Sequence, residues 1–207
     1  MKKLLILLFS TLLLSSPSVF AEDLSDFQIE GISIGDSLLD YMTEEEILKE
    51  IELRKDRYLH LKEPYKYVDI IFSQDFPTYD FVTVIIQNNS TNKYITDKNQ
   101  KYTILNIRGF SKYIEDFDGC IQKRDEIDKV LSSMFPDAQK YEHVFNSSAD
   151  PSGKSIVDTI DYIFKSGSEV SNYCVNYDET FRIKINWHEG LTVSIESAEI
   201  TSWLGDY

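Results

Sequence analysis

The chain has 207 residues, of which 42% are hydrophobic and 13% aromatic, and its formal net charge at pH 7 is −14. This apolar content can fill a core, which excludes a disordered chain. The acidic balance repels phosphate groups, so we expect no nucleic acid and no anionic lipid as partner.

Residues 1–21 have the pattern of a secretory signal peptide. Lys2 and Lys3 precede an apolar stretch, and Val19 and Ala21 stand at the two positions that a signal peptidase reads. Cleavage after Ala21 would remove both lysines and no acid, which changes the net charge from −14 to −16. We therefore expect an exported, soluble product, periplasmic or secreted, with one α+β domain over residues 22–207 and no transmembrane segment after cleavage.

A pair of short helices is predicted near the start of this domain. The first covers residues 36–42 and follows an apolar segment at residues 27–34. The second begins at Thr43, because Thr43 and Glu46 have the spacing of a capping box. Ile47 and Ile51 would give this second helix its buried side.

From Tyr67 onward the pattern changes to runs of β-branched and aromatic residues, which favour strands. The linkers between these runs are too short or too polar for crossover helices, so an antiparallel meander is expected. The predicted strands are residues 67–72, 80–86 and 102–107.

One long helix is predicted over residues 114–135, ended by Pro136. Its apolar residues recur at spacings of three and four and form one stripe: Phe117, Cys120, Ile121, Ile127, Val130, Leu131 and Met134. Five further strands are predicted at residues 141–145, 157–164, 170–175, 181–187 and 191–195. The predicted fold class is α+β, a mainly antiparallel sheet with the pair of short N-terminal helices and the long helix packed on one face.

The chain has two cysteines, Cys120 and Cys174. In an oxidising compartment a single pair favours a disulfide, with two buried thiols as the alternative. The disulfide would link the long helix to the strand beneath it.

Gly35-Asp36-Ser37-Leu38 resembles the first block of the GDSL family of serine esterases and lipases, and this resemblance implies Ser37 as a nucleophile. The segment from Gly31 to Gly35 also matches the nucleophile-elbow pattern G-x-S-x-G. The family's Asp-x-x-His pattern is broken here, because Ile185 stands where an aspartate should precede His188. A serine without an oriented base is not activated, so the other interpretation of this segment is a turn followed by a helix cap.

Other motifs predict no metal and no cofactor. Asp116, Asp118, Gly119 and Asp125 imitate part of a calcium-binding loop, but Ile114 stands at the first ligand position. The three histidines lie far apart in sequence and have no zinc-ligand spacing. Several tyrosines cluster between residues 58 and 94, where either a binding surface or strand packing explains them: Tyr58, Tyr65, Tyr67, Tyr79 and Tyr94.

The order G-x-S-x-G-D-S-L-L-D after a signal peptide, followed by an acidic helix, resembles a type of exported bacterial protein without a named function, and this resemblance implies no activity. We expect a non-enzymatic exported protein that binds an unknown protein or small molecule through the face of its sheet. The alternatives are a serine esterase that uses Ser37 and an envelope-assembly or inhibitor-like scaffold.

Overall fold

The computed structural model describes Leu24 and residues 27–72, 74–88 and 101–205. The predicted signal peptide, residues 1–21, lies outside the described residues. The strands described are β1 (Gln28–Ile29), β2 (Ile32–Ser33), β3 (Tyr67–Ile71), β4 (Phe81–Gln87), β5 (Ile104–Lys112), β6 (Gln139–Asn146), β7 (Ile156–Ile163), β8 (Glu169–Asn176) and β9 (Gly190–Glu196). The helices are α1 (Glu44–Arg54), α2 (Phe117–Met134), α3 (Glu179–Ile185) and α4 (Ala198–Leu204).

Seven of these strands form one sheet in the order β3-β4-β5-β9-β8-β7-β6. Every neighbouring pair is antiparallel. Strands β3 to β5 form one meander and β6 to β8 form another, and β9 lies between them. The last strand of the chain therefore joins two meanders that have no other shared edge in this sheet.

One face of the sheet, here called the helix face, carries the main core. Alternate residues of β4 and β9 point to this face, as the period of two in a strand requires. Helices α1 and α2 cover it, with Ile47 and Ile51 of α1 and Leu131 of α2 in the core. The sheet contributes mainly β-branched residues to the same core: Val68, Ile70, Val82, Val84, Ile86, Ile107, Val193 and Ile195.

The opposite face, here called the second face, is covered at its ends by the residues that the structure describes. Ile200 and Trp203 of α4 pack on Tyr67 and Ile85 at one end, together with Tyr58. The Trp203 indole Nε1 donates a hydrogen bond to the Glu63 carbonyl at 3.1 Å, which ties α4 to the segment before β3. No described helix covers the second face between α4 and α3.

The start of the domain differs from the predicted pair of helices. Residues Leu38–Asp40 form a single 3-10 turn, and only α1 is an α-helix. The capping box of α1 is confirmed: the Glu46 amide donates to Thr43 Oγ1 at 3.3 Å, and the Thr43 amide donates to Glu46 Oε2 at 2.9 Å. The first segment stays short because its backbone pairs with the residues just before β5 instead, where the Leu38 amide donates to the Tyr102 carbonyl.

Two further sequence predictions were wrong. Residues 181–187, predicted as a strand, lie mostly in α3, because the Asp178 side chain accepts from the Phe181 amide and caps a helix there. The predicted stripe of α2 also shifts, since Val130 and Met134 are exposed while Arg124 is buried. Arg124 pairs with Asp158 on β7, which explains how a charged residue occupies the buried side of the helix.

Cys120 of α2 and Cys174 of β8 form a disulfide with their Cα atoms 6.0 Å apart. Both cysteines are buried and contact Leu191 of β9. The bridge therefore links the long helix to the middle of the sheet, as expected. No helix in the described ranges is both long and apolar enough to cross a membrane.

Replacing both cysteines by serine should lower the free energy of unfolding by up to about 4 kcal/mol, because the bridge closes a loop between residues 54 positions apart. Urea denaturation of the double variant and of the wild type measures this difference. Reduced wild type serves as the control and should match the double variant. A difference near zero would show that the bridge does not constrain the unfolded chain.

Candidate functional site

A cleft of about 380 Å³ lies on the second face, beside the segment that follows α3. Its floor is built by neighbouring strands whose residues stand directly opposite one another. Phe81, Phe110, Thr192 and Tyr173 form one such row across β4, β5, β9 and β8. A second row places Arg108 between Thr83 and Ser194, so a single cation stands in the middle of the floor.

Arg108 is held in place by a carboxylate of the neighbouring strand. Its Nη2 donates to Glu196 Oε1 at 2.9 Å, and the side chain keeps 26% of its surface exposed. The same oxygen accepts from Asn106 Nδ2 at 3.1 Å. Burial lowers the pKa of Arg108, but the charge of Glu196, the hydrogen bond to Glu196 and the nearby Tyr173 and Tyr58 hydroxyls together raise it by more, so the guanidinium stays charged.

Asp69 of β3 carries the second charge cluster of the cleft. Its Oδ2 accepts from Arg57 Nη1 at 2.6 Å and lies 3.5 Å from Arg54 Nη1. Its other oxygen, Oδ1, is buried without a hydrogen-bond partner in the described part of the chain. Burial raises the pKa of Asp69 above its ordinary value, and this effect outweighs the opposite effect of the charges of Arg57, Arg54 and Arg108.

Aromatic side chains line the floor and the wall of the cleft on the side of α3. The rings of Phe81 and Phe110 are stacked with centroids 4.6 Å apart, and the His188 ring lies 6.2 Å and 6.4 Å from them. Trp187 is 48% exposed and packs on Tyr177 with ring centroids 5.7 Å apart. Burial raises the pKa of Tyr177 to about 12, so its hydroxyl is neutral at physiological pH.

The segment that carries Trp187 and His188 is fixed at both ends. Asn186 adopts a left-handed conformation with φ of 54° and ends α3. The buried Glu189 carboxylate accepts from the Glu115 amide at 2.6 Å and from the Tyr177 amide at 3.3 Å. Gly190 has φ of 150°, and a Cβ there would lie 2.1 Å from the Ser111 carbonyl oxygen. Only glycine fits this close approach of the backbones of β9 and β5.

A shallower hollow of about 260 Å³ continues from the cleft toward the edge of the sheet. Tyr173 lines both spaces, and His143, Phe145 and Thr159 line the hollow alone. The second face thus offers a deeper pocket and a shallow extension across the strands.

Ser37, the catalytic candidate from the sequence, lies away from this cleft. It is 3% exposed, its Oγ donates to the Lys101 carbonyl at 2.8 Å, and the same oxygen accepts from the Leu39 amide at 3.3 Å. The adjacent Leu38 belongs to the core on the helix face, whereas His188 contacts the aromatic rings of the second face. Ser37 therefore does not line the cleft in which His188 lies, and the GDSL-like segment is a cap and a partner of the start of β5.

The other sequence candidates have structural roles in the described residues. Tyr58 and Tyr67 pack on Trp203, and the Tyr79 ring lies against Gly109, while Tyr94 lies outside the described residues. Asp116 caps α2, since its Oδ1 accepts from the Gly119 amide at 3.0 Å. Within the described ranges no group of three or more His, Cys, Asp or Glu side chains is arranged to hold a metal ion.

Sequence reasoning missed the residues that define the cleft. Asp69 is the single polar residue of β3, whereas Arg108 and Thr192 alternate with other polar residues of β5 and β9, and nothing in these local patterns marks the three as neighbours. The available signal was the charge of Arg108 in the interior of β5, because a charged side chain in a half-buried strand needs a partner.

The chain matches no protein-family model, no curated protein and no solved structure. Its function is therefore argued from the chemistry of the site.

Ser37→Ala should destabilise the fold by about 1 kcal/mol, because it removes the cap of the 3-10 turn and the hydrogen bond to Lys101. Urea denaturation measures this loss. Folded wild-type protein should also remain unlabelled by a fluorophosphonate probe. Labelling that disappears in Ser37→Ala would instead support the esterase alternative.

Asp69 should make the free energy of unfolding increase as the pH falls, which is opposite to the pH dependence that an ordinary ion pair produces. Because its folded pKa is raised, its charged form costs stability, and this cost disappears as the pH falls through the raised pKa toward the ordinary value of about 3.9. The wild type should therefore gain stability relative to Asp69→Asn between neutral pH and about pH 4.

Urea denaturation of both proteins across this pH range tests the prediction. Asp75→Asn, which neutralises an exposed carboxylate outside the cleft, is the matched control. If the wild type instead lost stability relative to Asp69→Asn on acidification, the ion pair with Arg57 would dominate and the assignment would be wrong.

Proposed function

We propose that this chain is an exported, non-enzymatic binding protein that holds a small organic ligand in the cleft of the second face. The observation that carries the proposal is the cleft itself, which combines about 380 Å³ of space with aromatic walls and a few fixed polar groups. Pockets for small molecules have this size and this composition.

The state of the charged groups supports binding in preference to catalysis. Glu196 is paired with Arg108, and Asp69 is paired with Arg57. A carboxylate engaged in an ion pair positions its partner and is less available to move a proton to or from a substrate. Ser37 is buried and does not line the cleft, so it supplies no nucleophile there.

Export is supported by the chemistry of the cysteines and by the sequence of the first 21 residues. Disulfides form and persist in oxidising compartments such as the periplasm and the extracellular medium. Cys120 and Cys174 are paired, and the described residues contain no free cysteine. This combination is typical of proteins that fold after export.

The binding proposal is tested with N-phenyl-1-naphthylamine, a neutral dye whose fluorescence rises in an apolar site. We expect saturable binding to the folded wild type and about tenfold weaker binding to Trp187→Ala, since a half-exposed aromatic wall residue contributes affinity without holding the core. Fluorescence titration measures both dissociation constants.

Tyr65→Ala is the matched control, because Tyr65 is 58% exposed and lies outside the cleft lining. It should bind the dye as the wild type does. Absence of saturable binding to the wild type, or equal binding by Trp187→Ala, would contradict the proposed function.

A further inference from the structure

We infer that the ligand of this cleft is an organic anion with a planar apolar body, bound by its negative group at Arg108 and by its planar part at Phe81 and Phe110. This inference rests on the proposed function and adds the chemical class of the ligand. It depends on the charge of the cleft lining, on the fixed position of Arg108 and on the spacing between the cation and the rings.

The residues that line the cleft include two arginines and one acid, in contrast to the acidic chain, and Glu196, the partner of Arg108, is not among the lining residues. The chain as a whole carries a net charge of −14, yet the lining contains Arg57 and Arg108 against the single acid Asp69. A partly enclosed site strengthens the attraction of such cations for an anion, because solvent screens them less there than on the surface. A negative ligand group is therefore favoured in this cleft, although the protein surface as a whole repels anions.

Arg108 has donors left for a ligand. Within the described residues its guanidinium donates one hydrogen bond, to Glu196, and a guanidinium has five N–H donors in a planar fork. Glu196 Oε1 also accepts from Asn106 Nδ2 and from the Ser194 hydroxyl, so the carboxylate that orients Arg108 is itself fixed. A pre-positioned guanidinium that lines the cleft is suited to a carboxylate, sulfonate or phosphate group.

The aromatic surface stands at a defined distance from this cation. Phe110 follows Arg108 by two residues on β5 and points to the same face, so their Cα atoms are about 7 Å apart along the strand. The stacked pair Phe81–Phe110 lies beside the His188 ring, which supplies a surface for a planar group. A ligand that fills both subsites has its negative group within about one ring length of its planar body.

Two dyes that share one scaffold test this inference. N-phenyl-1-naphthylamine is neutral, and 8-anilinonaphthalene-1-sulfonate is the same molecule with a sulfonate added. We expect the sulfonate dye to bind the wild type about tenfold more tightly and to displace the neutral dye from the same site. Increasing salt should weaken the binding of the sulfonate dye and leave the affinity for the neutral dye unchanged.

The variant Arg108→Gln/Glu196→Gln removes the cation and its partner together, so that no unpaired charge is left in the sheet. It should lose the preference for the sulfonate dye, so that the two dyes bind this variant with about equal affinity. Arg108→Lys retains the charge and should keep most of the preference. If the double variant does not fold, the affinities of the wild type for the two dyes and their salt dependence still test the inference.

Equal affinity of the wild type for the two dyes, or a preference that survives in the folded double variant, would overturn the inference and leave the proposed function in place. Absence of saturable binding by either dye would contradict the proposed function as well. The two failures are therefore distinguishable in one set of titrations.

Discussion

The pairing of β9 with both β5 and β8 is the constraint on which the rest of the structure depends. Strand β9 is the last strand of this sheet in sequence, yet it lies at the centre of the sheet and forms hydrogen bonds with both meanders. It also places Thr192 between Phe110 and Tyr173, and Ser194 beside Arg108, so the floor of the cleft exists only when this strand is in place. The pairing of β9 with β5 joins segments that are far apart in sequence. It therefore carries a large entropy cost of loop closure.

The two ends of β9 organise the two ends of the cleft. At one end Glu196 holds Arg108, and at the other end Glu189, just before the strand, receives the amides of Glu115 and Tyr177. Both carboxylates are largely buried and both have partners, which is the condition under which buried charge is tolerated. The same strand therefore fixes the cation of the floor and the segment that carries the aromatic wall.

Much of the fold could be predicted from the sequence, because its elements are locally encoded. Strands β3 to β8 follow β-branched and aromatic runs, and the capping box of Thr43 marks the start of α1. Residues 181–187 misled the prediction, since Phe181, Ile183 and Ile185 alternate as in a strand while the cap at Asp178 starts a helix. The cleft could not be predicted, because its lining extends from Arg57 to Thr192 and depends on the strand order, which no local pattern contains.

The most direct test of the account is a map of ligand contacts on the folded protein. Amide chemical shifts recorded during titration with 8-anilinonaphthalene-1-sulfonate would provide this map. The account predicts that the largest changes fall on the floor and wall of the cleft, at Arg108, Phe110, Thr192 and His188, with little change at Ile47 and Leu131 in the helix-face core. Changes centred on α1 and α2, with the strand residues of the second face unaffected, would contradict it.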